Sequence, residues 1–321
     1  MIDELKNKIE NGYEISKKEA LGLVNAPLDE LLAASDRLRA HFCGEIFDIC
    51  SIINARSGKC SENCKFCAQS AHYSTAAEEY PLLDTDTIVE DALYNASKGV
   101  LRYSLVVSGK KLSDKETDKI YEIIKEIKKR VPVSICASLG LLSREQFMKL
   151  KEAGLERVHN NLETSENYFP NICSTHSFKD KIAAVEAARE AGLDICSGGI
   201  IGLGESYEDR IDMAFILKKL GVRSVPINIL NAIKGTPYEN NPPLEEDEIL
   251  RTAAVFRFIL PNAFLRLAGG RALLKDKGEK AFRSGINAVI TGDMLTTAGI
   301  SVDTDMAMIK EAGYRAELMN G

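Results

Sequence analysis

Cys60, Cys64 and Cys67 stand in the run KCSENCKFCAQS with C-x3-C-x2-C spacing, and Phe66 immediately precedes the last thiol. A loop this short wraps one corner of a [4Fe-4S] cube with three thiolates and cannot comfortably supply a fourth, so one iron is left open. The competing chemistry is a structural zinc knuckle, which normally closes with four ligands. No further Cys or His follows at finger spacing, and His72 is the sole local candidate for a fourth ligand. Three more cysteines, Cys50, Cys136 and Cys196, lie inside apolar runs, as does Arg266 in FLRLAGG.

The elements that must position these groups are periodic. A short apolar, β-branched run is followed by an amphipathic charged stretch and then a glycine, repeating about every 30 residues, a pattern that reads as βα units around a parallel sheet. Strands are expected at 47–54, 101–107, 133–139, 157–163, 194–202, 224–230, 264–270 and 287–291. Gly99, Gly154, Gly192, Gly221 and Gly285 stand just before strand starts, where they close the preceding helices. Eight repeats imply an α/β fold, a closed (β/α)8 TIM-type barrel. Helical patterns at 17–24 and 27–42 imply an N-terminal extension over residues 1–45, with the barrel occupying 46–321 as a single domain overall. The first cysteine motif then falls in the loop after strand one, at the catalytic end of such barrels.

Barrel interiors are filled in layers of four side chains taken from alternate strands. Cys50 (strand one), Cys136 (three), Cys196 (five) and Arg266 (seven) can therefore meet at one level, provided they point inward. A guanidinium buried there needs an anion, and a thiolate-bound cluster would supply one. The cysteines read either as ordinary small core side chains or as part of a second iron-sulfur site, and their coincidence with Arg266 on alternate strands favours the second.

The chain has 321 residues and a net charge of -6, without a basic stretch beyond pairs such as Lys128-Lys129-Arg130. That balance offers no footprint for nucleic acid or an anionic membrane and favours a small-molecule substrate. The first residues are polar, and no run of 18 apolar residues occurs, so a cytoplasmic location is expected. Eight cysteines in that compartment read as metal or redox ligands rather than disulfides.

The cysteine motif resembles that of the radical SAM superfamily. Over nearly its whole length the chain is similar to the biotin synthase family, through SGKCSENCKFCAQS, CASLG, NNLETS, CSGGIIGLGE, SVPIN, KGTP, FLRLAGGR and TGDMLTT. The resemblance implies that Cys60, Cys64 and Cys67 hold a [4Fe-4S] cluster whose open iron chelates S-adenosylmethionine (SAM). It implies two deoxyadenosyl radicals per product, and sulfur inserted between C6 and C9 of dethiobiotin from an auxiliary cluster. Phe66 would stack near the adenine, and Gly198, Ile200, Gly202 and Glu205 would line the adenosine pocket, the glycines letting backbone approach the ligand. Asn161 and Glu163 would contact the SAM ribose. His159 and Asn228 would meet the ureido ring of dethiobiotin, and Thr296 and Thr297 its carboxylate. A low-potential donor of the flavodoxin or ferredoxin type and a homodimer are implied too. The alternative is a related radical SAM enzyme, such as a hydrogenase-maturation homologue.

Three positions depart from the better-known form of the family. Strand two reads Arg102-Tyr103-Ser104 where that form has a third auxiliary cysteine, while Cys50 replaces a serine of strand one. The auxiliary ligands are thus expected to be Cys50, Cys136 and Cys196, on a wider triangle that suits a four-iron cube, with an iron free to carry an extra sulfide. A two-iron cluster closed by Arg266 is the other reading. His159 replaces an asparagine. Cys43, just before strand one, has no assigned role, and Cys173 is expected to pack.

Overall fold

The computed structural model describes residues 2–318. Three helices come first: α1 (Ile2–Glu10), α2 (Lys17–Leu23) and α3 (Leu28–Cys43). Then follow β1 (Ile46–Arg56), α4 (Thr85–Ser97), β2 (Arg102–Val107), α5 (Asp114–Arg130), β3 (Ser134–Ser138), α6 (Arg144–Ala153) and β4 (Arg157–His159). The second half runs through α7 (Phe178–Glu190), β5 (Asp194–Cys196), β6 (Gly199–Ile201), α8 (Tyr207–Lys219), β7 (Ser224–Ile229), α9 (Glu246–Ile259) and β8 (Phe264–Leu267). It closes with α10 (Glu279–Phe282), β9 (Ala288–Thr291), α11 (Val302–Glu311) and β10 (Arg315–Ala316).

The outer helices form where an apolar stripe meets a good start signal. In α5, Ile120, Ile123, Ile124 and Ile127 are buried on one face, Ser113 and Glu116 make a reciprocal capping box, and Lys128, Lys129 and Arg130 end the helix. The same serine-led box starts α6, α7 and α8. The five glycines expected to end helices all have positive φ; Gly154, at +111°, is the left-handed cap of α6.

All barrel strands pair in parallel in the order β1-β2-β3-β4-β5-β7-β8-β9, and β9 returns to β1 with Ile290 opposite Cys50, closing the ring. β5 and β6 both pair with β7, so they are two halves of one stave and the ring has eight. Expected as one strand over 194–202, this stave is broken at Ser197-Gly198. By the register on either side, Gly198 faces Pro226, which has no N–H to give to the ladder. A Cβ at Gly198 would lie 1.9 Å from the Pro226 carbonyl oxygen. The strand expected at 157–163 stops at His159; Glu163, with φ +71°, turns the chain and meets Gly199 only in an isolated bridge.

Helix α1 escapes the sequence reading because only Ile2, Leu5 and Ile9 carry its pattern. The N-terminal helices are fused to the barrel: Leu31 and Leu38 of α3 share one hydrophobic core with Phe256 of α9 and Phe282. Among the described residues no helix is long and apolar enough to cross a membrane.

Candidate active site

Gly58 and Lys59, both at positive φ, turn the chain after β1 over the mouth of the barrel. The Cys60 N–H donates to the Gln69 carbonyl (3.0 Å), Ala71 N–H to the Cys60 carbonyl (2.8 Å) and Cys67 N–H to the Cys64 carbonyl (3.0 Å). This folding of the loop onto itself brings Cys60, Cys64 and Cys67, with Phe66, onto the wall of a cavity of about 390 Å³. His72 is not brought to the thiols: its Nε2 meets the Ser61 carbonyl at 3.0 Å.

Deeper in the same cavity lie Cys50, Cys136, Cys196 and Arg266, together with Arg102, Arg157, Ser104, Ser224 and His159. The ladder register fixes these neighbours. Cys50 is opposite Arg102, Cys136 opposite Ser104 and Arg157, and Cys196 opposite His159 and Ser224. Ser224 donates to the Cys196 sulfur (3.2 Å), and His159 Nδ1 lies 3.4 Å from it.

The anion that satisfies Arg266 is not a thiolate. Its Nη2 donates to Asp48 Oδ1 at 2.8 Å and its Nη1 to the Val289 carbonyl at 2.6 Å, so the expected need for a cluster to neutralise it is corrected by a carboxylate on β1. Asp48 is fully buried. Burial pushes its carboxyl upward, but Arg266, Arg102 and Arg157 outweigh that effect and hold it below the usual range.

Two buried guanidiniums, Arg266 and Arg102, thus flank Asp48, a third, Arg157, lies 3.8 Å from Asp194 Oδ2, and the Nε atoms of Arg102 and Arg157 have no hydrogen-bond partner among the described residues. Burial raises the Cys50 thiol to about 12 and also raises Cys136. Burial acts the same way on Cys196, yet His159, Arg266 and Arg157 bring that thiol below its ordinary value. An anionic, thiolate-ligated cluster fits this surplus of positive charge and these unpartnered donors.

The other expected contacts divide. Ile200, Asn161, Glu163, Asn228, Thr296 and Thr297 line the cavity. Glu163 Oε2 is buried without a hydrogen-bond partner among the described residues. Asn161 Oδ1 accepts from Gly198 N–H (3.1 Å), and Asn228 bridges Gly199 O (3.0 Å) and Gly269 N–H (3.0 Å), so backbone contacts orient both amides. His159, expected beside the substrate, lines the cavity with its Nδ1 toward the Cys196 sulfur.

Gly198, Gly202 and Glu205 are not on the cavity wall. Gly198 answers to Pro226, and Glu205 accepts from Gly202 N–H (2.9 Å) and from Arg210 Nε (2.6 Å). They brace the wall from behind.

Cys43 lies away from the cavity. Arg257 Nη1 is 3.6 Å from its sulfur, in a nest with the Pro261 and Ala263 carbonyls. Cys173 is buried, as a packing residue would be, but its place changes its reading. Its sulfur is 3.7 Å from that of Cys64 and 3.3 Å from His176 Nδ1. Asp48, Arg102, Arg157, Cys173 and His176 were all missed; the one signal was polarity inside apolar strands, in FDICSI and LRYSLVV.

Residues 55–217 match the Radical SAM superfamily, and residues 226–315 the Biotin and Thiamin Synthesis associated domain. The chain is 57% identical over 317 residues to the biotin synthase of Brachyspira hyodysenteriae, covering 99% of this chain and 95% of that one. The chain belongs to the biotin synthase family. It is a radical SAM enzyme. To the biotin synthase of Clostridium botulinum (strain Alaska E43) it is 54% identical, over 98% of this chain and 99% of the relative. Among solved structures, methylornithine synthase superposes with a TM-score of 0.84 at 17% identity, over 98% of this chain and 97% of that one. The FeFe-hydrogenase maturase of Carboxydothermus hydrogenoformans gives 0.83 at 18%, over 99% and 80%. At those identities the likeness is one of fold, and it places the family on the expected barrel with its helical N-terminus.

Proposed function

We propose that this chain inserts sulfur into dethiobiotin at C6 and C9 to form biotin, using a SAM-binding [4Fe-4S] cluster and an auxiliary iron-sulfur cluster in one cavity. The observation that carries the reading is the arrangement of two thiol sets, Cys60-Cys64-Cys67 at the mouth and Cys50-Cys136-Cys196 below, along a single cavity wall. When bound, the first cluster supplies the electron that cleaves the SAM sulfonium and the second supplies the sulfur.

The protein's own part is positioning. Cys60, Cys64 and Cys67 hold the first cluster; Phe66, Ile200, Asn161 and Glu163 form the SAM side of the cavity. Glu163, on the cavity wall, offers its carboxylate to the ribose hydroxyls. Gly198, Gly202 and Glu205 keep that wall in place. Cys50, Cys136 and Cys196 hold the auxiliary cluster, which we take to be of the four-iron kind because the ligands sit on three non-adjacent staves. Arg266, Arg102 and Arg157 hold it electrostatically, and His159 stands behind Cys196 as a hydrogen-bond partner. Asn228 faces the ureido ring, and Thr296 and Thr297 the carboxylate. Substrate between the two thiol sets is shielded from water by the barrel wall, which protects a radical from side reactions.

We also assign residues 1–45 as an extension of a single-domain barrel, a cytoplasmic location, a homodimer and a low-potential flavodoxin- or ferredoxin-type donor. The central test is anaerobic incubation of reconstituted protein with dethiobiotin, SAM and a low-potential reductant, followed by mass spectrometry. Biotin is the expected product; deoxyadenosine without biotin would sink the substrate assignment and leave the SAM chemistry standing.

A further inference from the structure

We propose that Cys64, Cys173 and His176 form a binding site for one divalent transition-metal ion in the cluster-free chain, a site that cluster assembly must dissolve. The sulfur atoms of Cys64 and Cys173 and a ring nitrogen of His176 all lie within 4.8 Å of one another. Ligand bonds of about 2.3 Å for sulfur and about 2.0 Å for nitrogen give tetrahedral edges of about 3.8 Å between two sulfurs and about 3.5 Å between sulfur and nitrogen. The edges here are 3.7 Å for Cys64–Cys173 and 3.3 Å for Cys173–His176. Two thiolates and an imidazole select the borderline-soft ions Fe2+, Co2+ and Zn2+ over Mg2+ or Ca2+.

The surroundings are built for such a site. Lys65 N–H donates to the Ile172 carbonyl (2.9 Å), and Asn63 Oδ1 accepts from Ser174 N–H (2.9 Å) and Thr175 N–H (3.2 Å), so the 172–176 segment is fixed to the cluster loop. Glu62 Oε2 lies 2.6 Å from His176 Nδ1, and the side chains are 8% and 5% exposed. In the metal-free chain that carboxylate accepts the Nδ1 proton, which must leave before Nδ1 can ligate an ion.

The three ligands also face two spaces. Cys64 lines the barrel cavity, whereas Cys173 and His176 line a separate surface pocket with Glu166, Pro170 and Lys179. An ion arriving from outside meets Cys173 and His176 first and Cys64 next. Because Cys64 also belongs to the cluster motif, the mononuclear ion and the closed cluster exclude one another. Binding releases the thiol protons of Cys64 and Cys173 and the proton that His176 Nδ1 shares with Glu62, and involves no electron transfer. The ion site does not depend on the reading of Cys64 as a cluster ligand; only its displacement by the cluster does.

The test is an anaerobic Co2+ titration of the cluster-free, full-length chain carrying Cys60→Ala and Cys67→Ala, which leaves the three proposed ligands in place. The expected result is a thiolate-to-cobalt charge-transfer band, with one bound cobalt equivalent lost when Cys173→Ser or His176→Ala is added. Cys43→Ser, far from the site, should lose none. Far-UV circular dichroism on each variant separates loss of a ligand from loss of fold. X-ray absorption of the zinc-loaded His176→Ala chain against its parent should show one nitrogen neighbour fewer, a readout that does not rely on Cys173→Ser folding. In the chain with its native motif, zinc loaded first should slow cluster reconstitution, and Cys173→Ser should remove the delay. Unchanged cobalt stoichiometry and spectra in both folded variants would overturn the site; absence of any zinc delay would overturn its exclusion of the cluster.

Discussion

Cys64 belongs to a surface loop, outside the ladder that holds the barrel, so Cys64→Ala should abolish deoxyadenosine formation while circular dichroism stays that of the parent. Wild-type SAM cleavage by that variant would remove it from the ligand set. Cys50→Ser tests the other thiol set: a hydroxyl is a poorer iron ligand than a thiolate, and its barrel neighbours Arg102 and Ile290 offer no substitute. The expected variant makes deoxyadenosine but little biotin, with auxiliary iron lost from its Mössbauer spectrum; full auxiliary iron would make Cys50 a bystander. At this scale the sequence was most legible where ligands are local. C-x3-C-x2-C is readable because eight consecutive positions, Cys60 to Cys67, wrap one corner of a cube. Cys173 was not, because its partner Cys64 is 109 residues away and only tertiary folding joins them. Asp48 was also missed, since a single carboxylate in a strand does not announce the arginines it serves.

Strands β1 and β8 are joined by the buried Asp48–Arg266 pair as well as by β9 between them. Asp48→Asn leaves Arg266 and Arg102 without their carboxylate partner, and breaking a buried pair of this kind costs about 3–5 kcal/mol. Because the folded-state value of Asp48 is lowered, its contribution is fully present above the unfolded value near ~4 and disappears as pH falls through the folded value. The stability gap between parent and Asp48→Asn, measured by urea unfolding, should thus be wide at neutral pH and shrink in strong acid; a gap that does not change with pH would exclude the charge as its cause. In the fifth stave, Gly198→Ala would drive a methyl into the Pro226 carbonyl, and a loss of about 1–3 kcal/mol is expected from overpacking. A melting temperature equal to the parent's would show that β5 and β7 can separate there. The eight staves themselves were legible from period and glycine punctuation. The break within the fifth was not, because its cause is a proline on the neighbouring strand.

Across the whole molecule, the N-terminal helices and the barrel share one core, in which Leu31 and Leu38 are completely buried. Amide exchange in α3 should therefore be as slow as in β1 and β8, and α3 exchanging orders of magnitude faster would mean that the extension opens by itself. The period of the sequence revealed the helices but not this union, since which outer helix covers which is decided by the closed ring. That ring has a further consequence for how the protein is made. Cys50 and the loop thiols leave the ribosome well before β9, the strand that flanks Cys50 on one side. Nascent domains take shape from the N-terminus onward. A partly translated chain therefore displays its soft ligands to the surrounding metal pool with no enclosing wall, and cofactor insertion has to wait until the terminal stave has zipped into place.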